Sequence, residues 1–197
     1  TVQSLASSYE CSNVIIAADK GSSKMRKDLS PSYKGDRAEK YKDQTEKDKE
    51  DMKLFFEEYE RTLKLLSEKY CILRYDQVEA DDLAAYIVKQ RSKLGIEDIW
   101  LISSDRDWDL LINDNDSYIS YKVLMGDKGD SIDGIEGIGP KRASDLVKQW
   151  DSAFDIYDAL PLNSHYKFIQ NLNASGDKIL ENYKMMDLLA YCEEAIE

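Results

Sequence analysis

The sequence predicts an α/β fold: a central, mostly parallel sheet flanked by helices, followed by a helical region with a helix–hairpin–helix element. Three observations support this. Short apolar runs at 13–18, 71–75 and 99–103 have the continuous hydrophobic character of strands buried on both faces. Longer segments between and after them repeat apolar residues at intervals of three and four, as amphipathic helices do. A glycine-rich stretch from Gly134 runs into a helix at Pro140, a residue favoured at a first helical position.

Taken in order, residues 1–10 carry Val2, Leu5, Ala6 and Tyr9 at helical spacing, so the chain opens inside a periodic pattern and its natural beginning is expected to lie upstream. The first strand ends at Asp19, at the sheet edge where ligand sites of open α/β sheets lie. Gly21 to Lys42 is polar and interrupted by Pro31 and Gly35, which predicts a long loop or loosely helical excursion. Glu50 to Tyr70 reads as a long helix whose Met52, Phe55, Phe56, Tyr59, Leu63, Leu66 and Tyr70 are expected in the core. A second strand over 71–75 leads to a helix from Glu79 to about Leu94, stopped by Gly95. The third strand, 99–103, follows, giving a right-handed βαβ crossover. Beyond it come a short strand at 110–112, a turn at 113–117, and helices over 118–125, from Pro140, over 153–160 and over 178–190, with 161–176 as connection. The passage from strand to helix between Ser117 and Tyr118 is abrupt enough to mark a candidate break in the chain.

Composition narrows the function classes. With 197 residues, 42% apolar and 34% charged, the chain has the balance of a soluble globular protein, and no apolar run reaches the length of a membrane span. The opening Thr-Val-Gln-Ser-Leu lacks the order of a signal peptide. Three separated cysteines, Cys11, Cys71 and Cys192, have no metal-ligand spacing and suit a reducing compartment. A single histidine, His165, leaves almost no material for histidine-centred chemistry and is expected at the surface or in a hydrogen bond. The net charge of −12 opposes nonspecific polyanion binding, yet Lys20, Lys24, Arg26, Lys27, Lys34, Arg37, Lys40 and Lys42 form a local basic stretch.

The acids are the strongest chemical signal. Glu79, Asp81 and Asp82 place three carboxylates in four residues at a helix start, where the helix dipole accounts for one or two and mutual repulsion opposes the rest. Asp19, Asp105 and Asp107 follow other strands, and Asp127 with Asp130 sits in a Gly-rich turn. If the strands are adjacent, all eight converge on one sheet edge. Hard oxygen donors without soft ones select two Mg²⁺ or Mn²⁺ ions. The competing account makes each acid a cap or a solvated turn residue. In the hairpin, Gly137 and Gly139 let a phosphate approach backbone N–H groups, with Lys141 and Arg142 beside it. An acid cage beside a basic loop and a phosphate-binding hairpin suggests two-metal phosphodiester cleavage with weak sequence readout.

Val-Glu-Ala-Asp-Asp at 78–82, Ser-Ser-Asp-Arg-Asp-Trp-Asp at 103–109, Met-Gly-Asp-Lys-Gly-Asp at 125–130 and Gly-Ile-Glu-Gly-Ile-Gly-Pro-Lys-Arg-Ala at 134–143 closely resemble the 5′-nuclease family of flap endonucleases and 5′–3′ exonucleases. Ala-Asp-Lys-Gly at 18–21 and Tyr-Lys-Gly-Asp-Arg at 33–37 are most similar to the branch of T5-like bacteriophages. The resemblance implies metal-dependent cutting of flap, nicked or branched DNA with a free 5′ end. It assigns Glu79, Asp81 and Asp105 to a first metal site, with Asp19 and Asp82 nearby, and Asp107, Asp127 and Asp130 to a second. Lys34 and Arg37 match the foot of a helical arch that clamps the 5′ arm, Lys122 matches a substrate-holding lysine, and the hairpin matches a duplex-binding element often carrying K⁺. It further implies a nuclease core over 1–117 with the arch at 20–50, a helical region over 118–197 packed on it as one unit, a monomer, replication proteins as partners, and the cytoplasm of a bacterial host.

Two departures stand out: no strand ending in the family's opening aspartate precedes Asn13, and a segment of a few tens of residues is expected where Ser117 meets Tyr118. If those segments are truly absent, a noncatalytic helix–hairpin–helix DNA-binding protein is the alternative. A structural or protein-interaction α/β domain is the third reading, and the basic stretch speaks against it.

Overall fold

The computed structural model describes residues 2–42, 44–112 and 116–197. Its amino-terminal half contains α1 (Val2–Ser8), β1 (Ile15–Ala17), α2 (Lys24–Leu29), α3 (Gly35–Lys42), α4 (Glu46–Ser67), β2 (Cys71–Leu73) and α5 (Ala80–Gln90). β1 and β2 pair in parallel, Ile15 opposite Cys71 and Ala17 opposite Leu73. A 3₁₀ turn over Arg106–Leu111 leads into the other half. There follow α6 (Asp116–Met125), the two-residue strands β3 (Gly126–Asp127) and β4 (Ile132–Asp133), α7 (Pro140–Trp150), α8 (Ala153–Asp158), α9 (Lys167–Asn173), α10 (Gly176–Met186) and α11 (Leu188–Ile196).

The parallel sheet is smaller than expected. Residues 99–103 have strand composition but pair with no strand among the described residues, leaving Trp100 and Ile102 exposed while Leu101 packs inward. The expected strand at 110–112 is instead the end of the 3₁₀ turn and the residue after it, because the Asp105 side chain accepts from Asp107 N and starts a helical turn. Residues 113–115 of the expected turn lie outside the described residues.

Helix α4 starts four residues earlier than the pattern suggested, at a capping box in which Thr45 and Asp48 satisfy each other's backbone N–H groups. Its aromatic face is not core: Phe55 and Phe56 are exposed at 61% and 51%, and the buried apolar residue of the helix is Leu63. The basic excursion folds into α2 and α3. The stretch 161–176, read as connection, contains α9, and the helix expected over 178–190 is two helices broken at Asp187, whose side chain caps the second through Ala190 N.

Most of the core lies in the carboxyl-terminal half, where Val123 and Leu124 of α6, Leu146 and Val147 of α7, Ile156, Leu172, Ile179 and Tyr183 pack together. A smaller cluster joins α5 to α11 through Ala84, Ala85, Leu111, Leu188 and Cys192. The two halves are also tied by Arg26 Nε, which donates to the Met185 carbonyl at 2.7 Å. His165 is exposed and all three cysteines are free.

Candidate functional site

The site grows from the amino end of α5. Glu79 is its N-cap residue, yet its side chain makes no capping bond and turns into the protein instead. Oε1 accepts from Ser23 N at 3.2 Å and from Lys34 Nζ at 2.7 Å, while Oε2 accepts from Tyr33 Oη at 2.9 Å. Burial alone would push this carboxyl up, but Lys34, Arg26 and Tyr33 outweigh it and hold Glu79 below the usual carboxylate range. Asp19, leaving β1, accepts from Ala80 N at 2.7 Å and so docks the end of the strand on the first turn of the helix.

Asp81 and Asp82 point to different surroundings. Asp82 is fully buried and forms two bonds to the Arg26 guanidinium, at 2.6 and 2.7 Å. Its oxygens are thereby committed, so it stands apart from the groups available to an ion. Asp81 is held at 2.6 Å by the indole N–H of Trp108. Burial pushes its carboxyl up to about 6; the Trp108 bond opposes that shift, and the nearby charges of Asp105, Asp19 and Glu79 add to it. Those four acids therefore share one electrostatic neighbourhood.

A second group sits on the β3–β4 turn. At Gly126, with φ +79°, and at Gly134, the residue after β4, an added Cβ would run into the facing backbone, so two glycines are needed for the two segments to approach this closely. Asn182 secures the approach by donating to the carbonyls of Val123 and Asp133. The turn carries Asp127 and Asp130 to the buried Lys122 and to α3. Lys122 Nζ lies 2.6 Å from Asp107 and 3.1 Å from Asp127. Burial would lower this ammonium's pKa, but Asp107 and Asp127 raise it above its ordinary value. Asp130 meets Arg37 at 3.1 Å, Lys34 at 3.9 Å and the Tyr33 hydroxyl at 3.3 Å. Its carboxyl is pushed up by burial and by Asp127 and Glu79, against Lys34 and Arg37.

The acids thus converge, but not as the bare cage expected. Among the described residues no three of them gather as a ready metal site, because Lys34, Arg37 and Lys122 are interleaved with them and supply counter-charge. The donor set still fits hard divalent cations: every candidate ligand is an oxygen, and among the described residues Asp81 has a neutral indole and no basic side chain as its partner.

Among the described residues the hairpin shares no hydrogen bond or ion pair with this cluster. Gly137 has φ +82°, and Arg142 donates to its carbonyl at 2.6 Å while lying over the Phe168 ring. Gly139 is the N-cap of α7, and a Cβ there would meet only open space, so the room before this helix faces outward. Lys141 is exposed beside it. Buried Ile135 and Ile138 anchor the turn.

Sequence reasoning missed Arg26, Tyr33 and Trp108 as site residues. Arg26 was one basic residue among eight. Tyr33 and Trp108 lie inside motifs already quoted, and their proximity to carboxylates distant in sequence was the missing information.

An α/β half with acids at a helix start, joined to a helical half bearing a glycine hairpin, defines a metal-dependent nuclease architecture, and the chain belongs to the 5′–3′ exonuclease family. The family's amino-terminal resolvase-like domain matches residues 1–136 and its carboxyl-terminal SAM fold matches residues 114–196. The flap endonuclease of Escherichia phage T5 is 39% identical over 222 aligned positions, covering 100% of this chain and 76% of that protein. Because 222 positions align against 197 residues, at least 25 of the phage protein's positions face gaps in this chain. The 5′–3′ exonuclease of Aquifex aeolicus is 28% identical over 59% of this chain and 47% of its own length. Among solved structures, the T5 flap endonuclease co-crystallised with metal ions superposes with a TM-score of 0.92 at 39% identity, covering 99% of this chain and 83% of that one. A complex of the T5 flap endonuclease with DNA and metal ions gives 0.92 at 38% identity, covering 99% and 81%.

Proposed function

We propose that this chain is a divalent-metal-dependent, structure-specific 5′ nuclease that hydrolyses phosphodiester bonds in flap, nicked or branched DNA and degrades from 5′ ends. The observation that carries the reading is the interleaving of Glu79, Asp107, Asp127 and Asp130 with Lys34, Arg37 and Lys122 at the start of α5. Carboxylates and cations in contact suit a substrate that is itself a phosphate carried with metal ions.

Glu79, Asp81 and Asp105 would hold one ion and Asp107, Asp127 and Asp130 a second, with Asp19 orienting the first turn of α5. Mg²⁺ or Mn²⁺ is the expected metal, and when bound it supplies an activated water and charge for the departing oxygen. Lys34, Arg37 and Lys122 would receive the scissile phosphate, each exchanging a carboxylate partner for a phosphate oxygen. Such donors stabilise charge that develops on the non-bridging oxygens. Residues 20–50 would guide the 5′ arm. Gly137, Gly139, Lys141 and Arg142 would grip the downstream duplex, with K⁺ as an additional ligand there, through phosphates and so without sequence readout. The two halves, 1–117 and 118–197, act as one monomeric unit; replication proteins are the class of partner such an activity serves, and the host cytoplasm is where its substrate lies.

End-labelled flap, nicked and single-stranded substrates incubated with Mg²⁺ or with a chelator test this. Release of short 5′ products in Mg²⁺ alone is expected, product length separating exonucleolytic from endonucleolytic cutting. Asp105→Ala should abolish cutting while preserving DNA binding. Duplex binding with no cleavage in Mg²⁺ or Mn²⁺ would leave only a noncatalytic DNA-binding protein.

A further inference from the structure

We propose that Trp108 is a positioning residue for Asp81, its indole N–H selecting which carboxylate oxygen is presented to the metal. The inference rests on the nuclease reading above and assigns a role to a side chain outside the acid set.

The geometry is specific. Trp108 Nε1 donates to Asp81 Oδ1 at 2.6 Å across 27 residues of sequence. Indole N–H is a donor only, so it neither ligates a metal nor changes protonation state. Among the described residues Asp81 Oδ2 accepts no hydrogen bond and Asp81 has no basic partner, whereas Glu79, Asp107, Asp127 and Asp130 each meet a lysine or arginine. A neutral donor orients the carboxylate without cancelling its charge, which remains available to a cation. A lysine in the same place would have compensated it.

The donor is also well anchored. The indole packs against the apolar cluster of Ala84, Ala85, Leu111, Leu188 and Cys192, which belongs to α5, the 3₁₀ turn and α11. Trp108 shares that turn with Asp107, and Asp105 caps it. One turn therefore sets two acids at the site and the support for a third. Ligating carboxylates are commonly held by such outer partners, and losing one costs about 10- to 100-fold in metal affinity or activity. The competing account is that a half-buried indole has simply found an acceptor.

Mn²⁺ binding to the full chain, followed by electron paramagnetic resonance of the free ion, separates these accounts. The comparison set is wild type, Trp108→Phe, Asp81→Asn and the double variant, with thermal unfolding of each metal-free protein alongside. Trp108→Phe is expected to weaken Mn²⁺ binding about 10- to 100-fold, to leave metal-free unfolding near wild type, and to have no further effect once Asp81 is Asn. Activity should recover in kcat when Mn²⁺ is raised. Should phenylalanine disturb folding, replacing Trp108 by benzothienylalanine keeps the bicyclic shape without the N–H and must give the same loss of affinity. Wild-type affinity in either Trp108 variant overturns the assignment, as does an equal loss in the Asp81→Asn background. A wild-type protein that takes up no Mn²⁺ overturns the metal-dependent reading itself, and the assignment with it.

Discussion

Arg26 and Asp82 form a two-bond ion pair, at 2.6 and 2.7 Å, with side chains that are 3% and 0% exposed. The pair joins α2 to α5, and Arg26 extends the link to α10 through the Met185 carbonyl. Removing Asp82 leaves the buried Arg26 guanidinium with Glu79, at a longer 3.4 Å, as its acidic partner. Asp82→Ala is therefore expected to destabilise the protein by about 3–5 kcal/mol, measured by urea unfolding, with activity falling only as the folded fraction falls. Asp105→Ala, at an exposed acid, should do the reverse.

Asp81 gives a pH dependence with a definite sign. Its carboxyl is raised in the folded protein from an ordinary 3.8 to about 6, so between those values the folded state binds more protons than the unfolded one. Stability contributed at this position is present below the lower value and lost as pH rises through the window. Asp81→Asn should remove that loss, making the metal-free variant more stable than wild type at pH 7 by on the order of 1–3 kcal/mol. Thermal unfolding in chelator at pH 4 and pH 7 measures it.

Lys122 is the internal counter-ion of Asp107 and Asp127. Lys122→Met keeps the stem and deletes the charge, leaving two partly buried carboxylates facing each other. The metal-free variant should lose about 1–3 kcal/mol, and saturating Mg²⁺ should raise its Tm by more than it raises that of wild type. An equal increment in both proteins would mean that Lys122 and the ion do not answer the same charge.

At the hairpin, Lys141→Ala should weaken duplex binding across all sequences and reduce the salt slope by about one, with cutting of a saturated substrate unchanged. Gly137→Ala imposes a side chain on a φ of +82° and brings a Cβ to 3.4 Å from Phe168, so it should cost about 1 kcal/mol of stability as well as affinity. Fluorescence anisotropy over a salt series, with denaturant unfolding, separates the two effects.

Much of this was legible from residue pattern alone. β1 and β2 follow from their apolar runs, and α7 begins at Pro140 as expected. What failed depended on partners. Residues 99–103 look like a strand by composition, but a strand needs a neighbour to bond. Phe55 and Phe56 repeat like core residues on a helix that finds little to pack against. Asp82 looked like its neighbour Asp81 until Arg26, 56 positions away, claimed it. The break at Asp187 was readable in principle, since aspartate is a preferred N-cap, but the apolar period running across it hid the signal.

The lysines that sit among the carboxylates have a thermodynamic corollary. Lys34 and Lys122 cannot serve a phosphate fully while they neutralise Glu79, Asp107 and Asp127, and an ion that takes over those carboxylates releases them. If ion and DNA bind as proposed, cofactor and nucleic acid are mutually heterotropic ligands: each tightens the other's dissociation constant by the same factor.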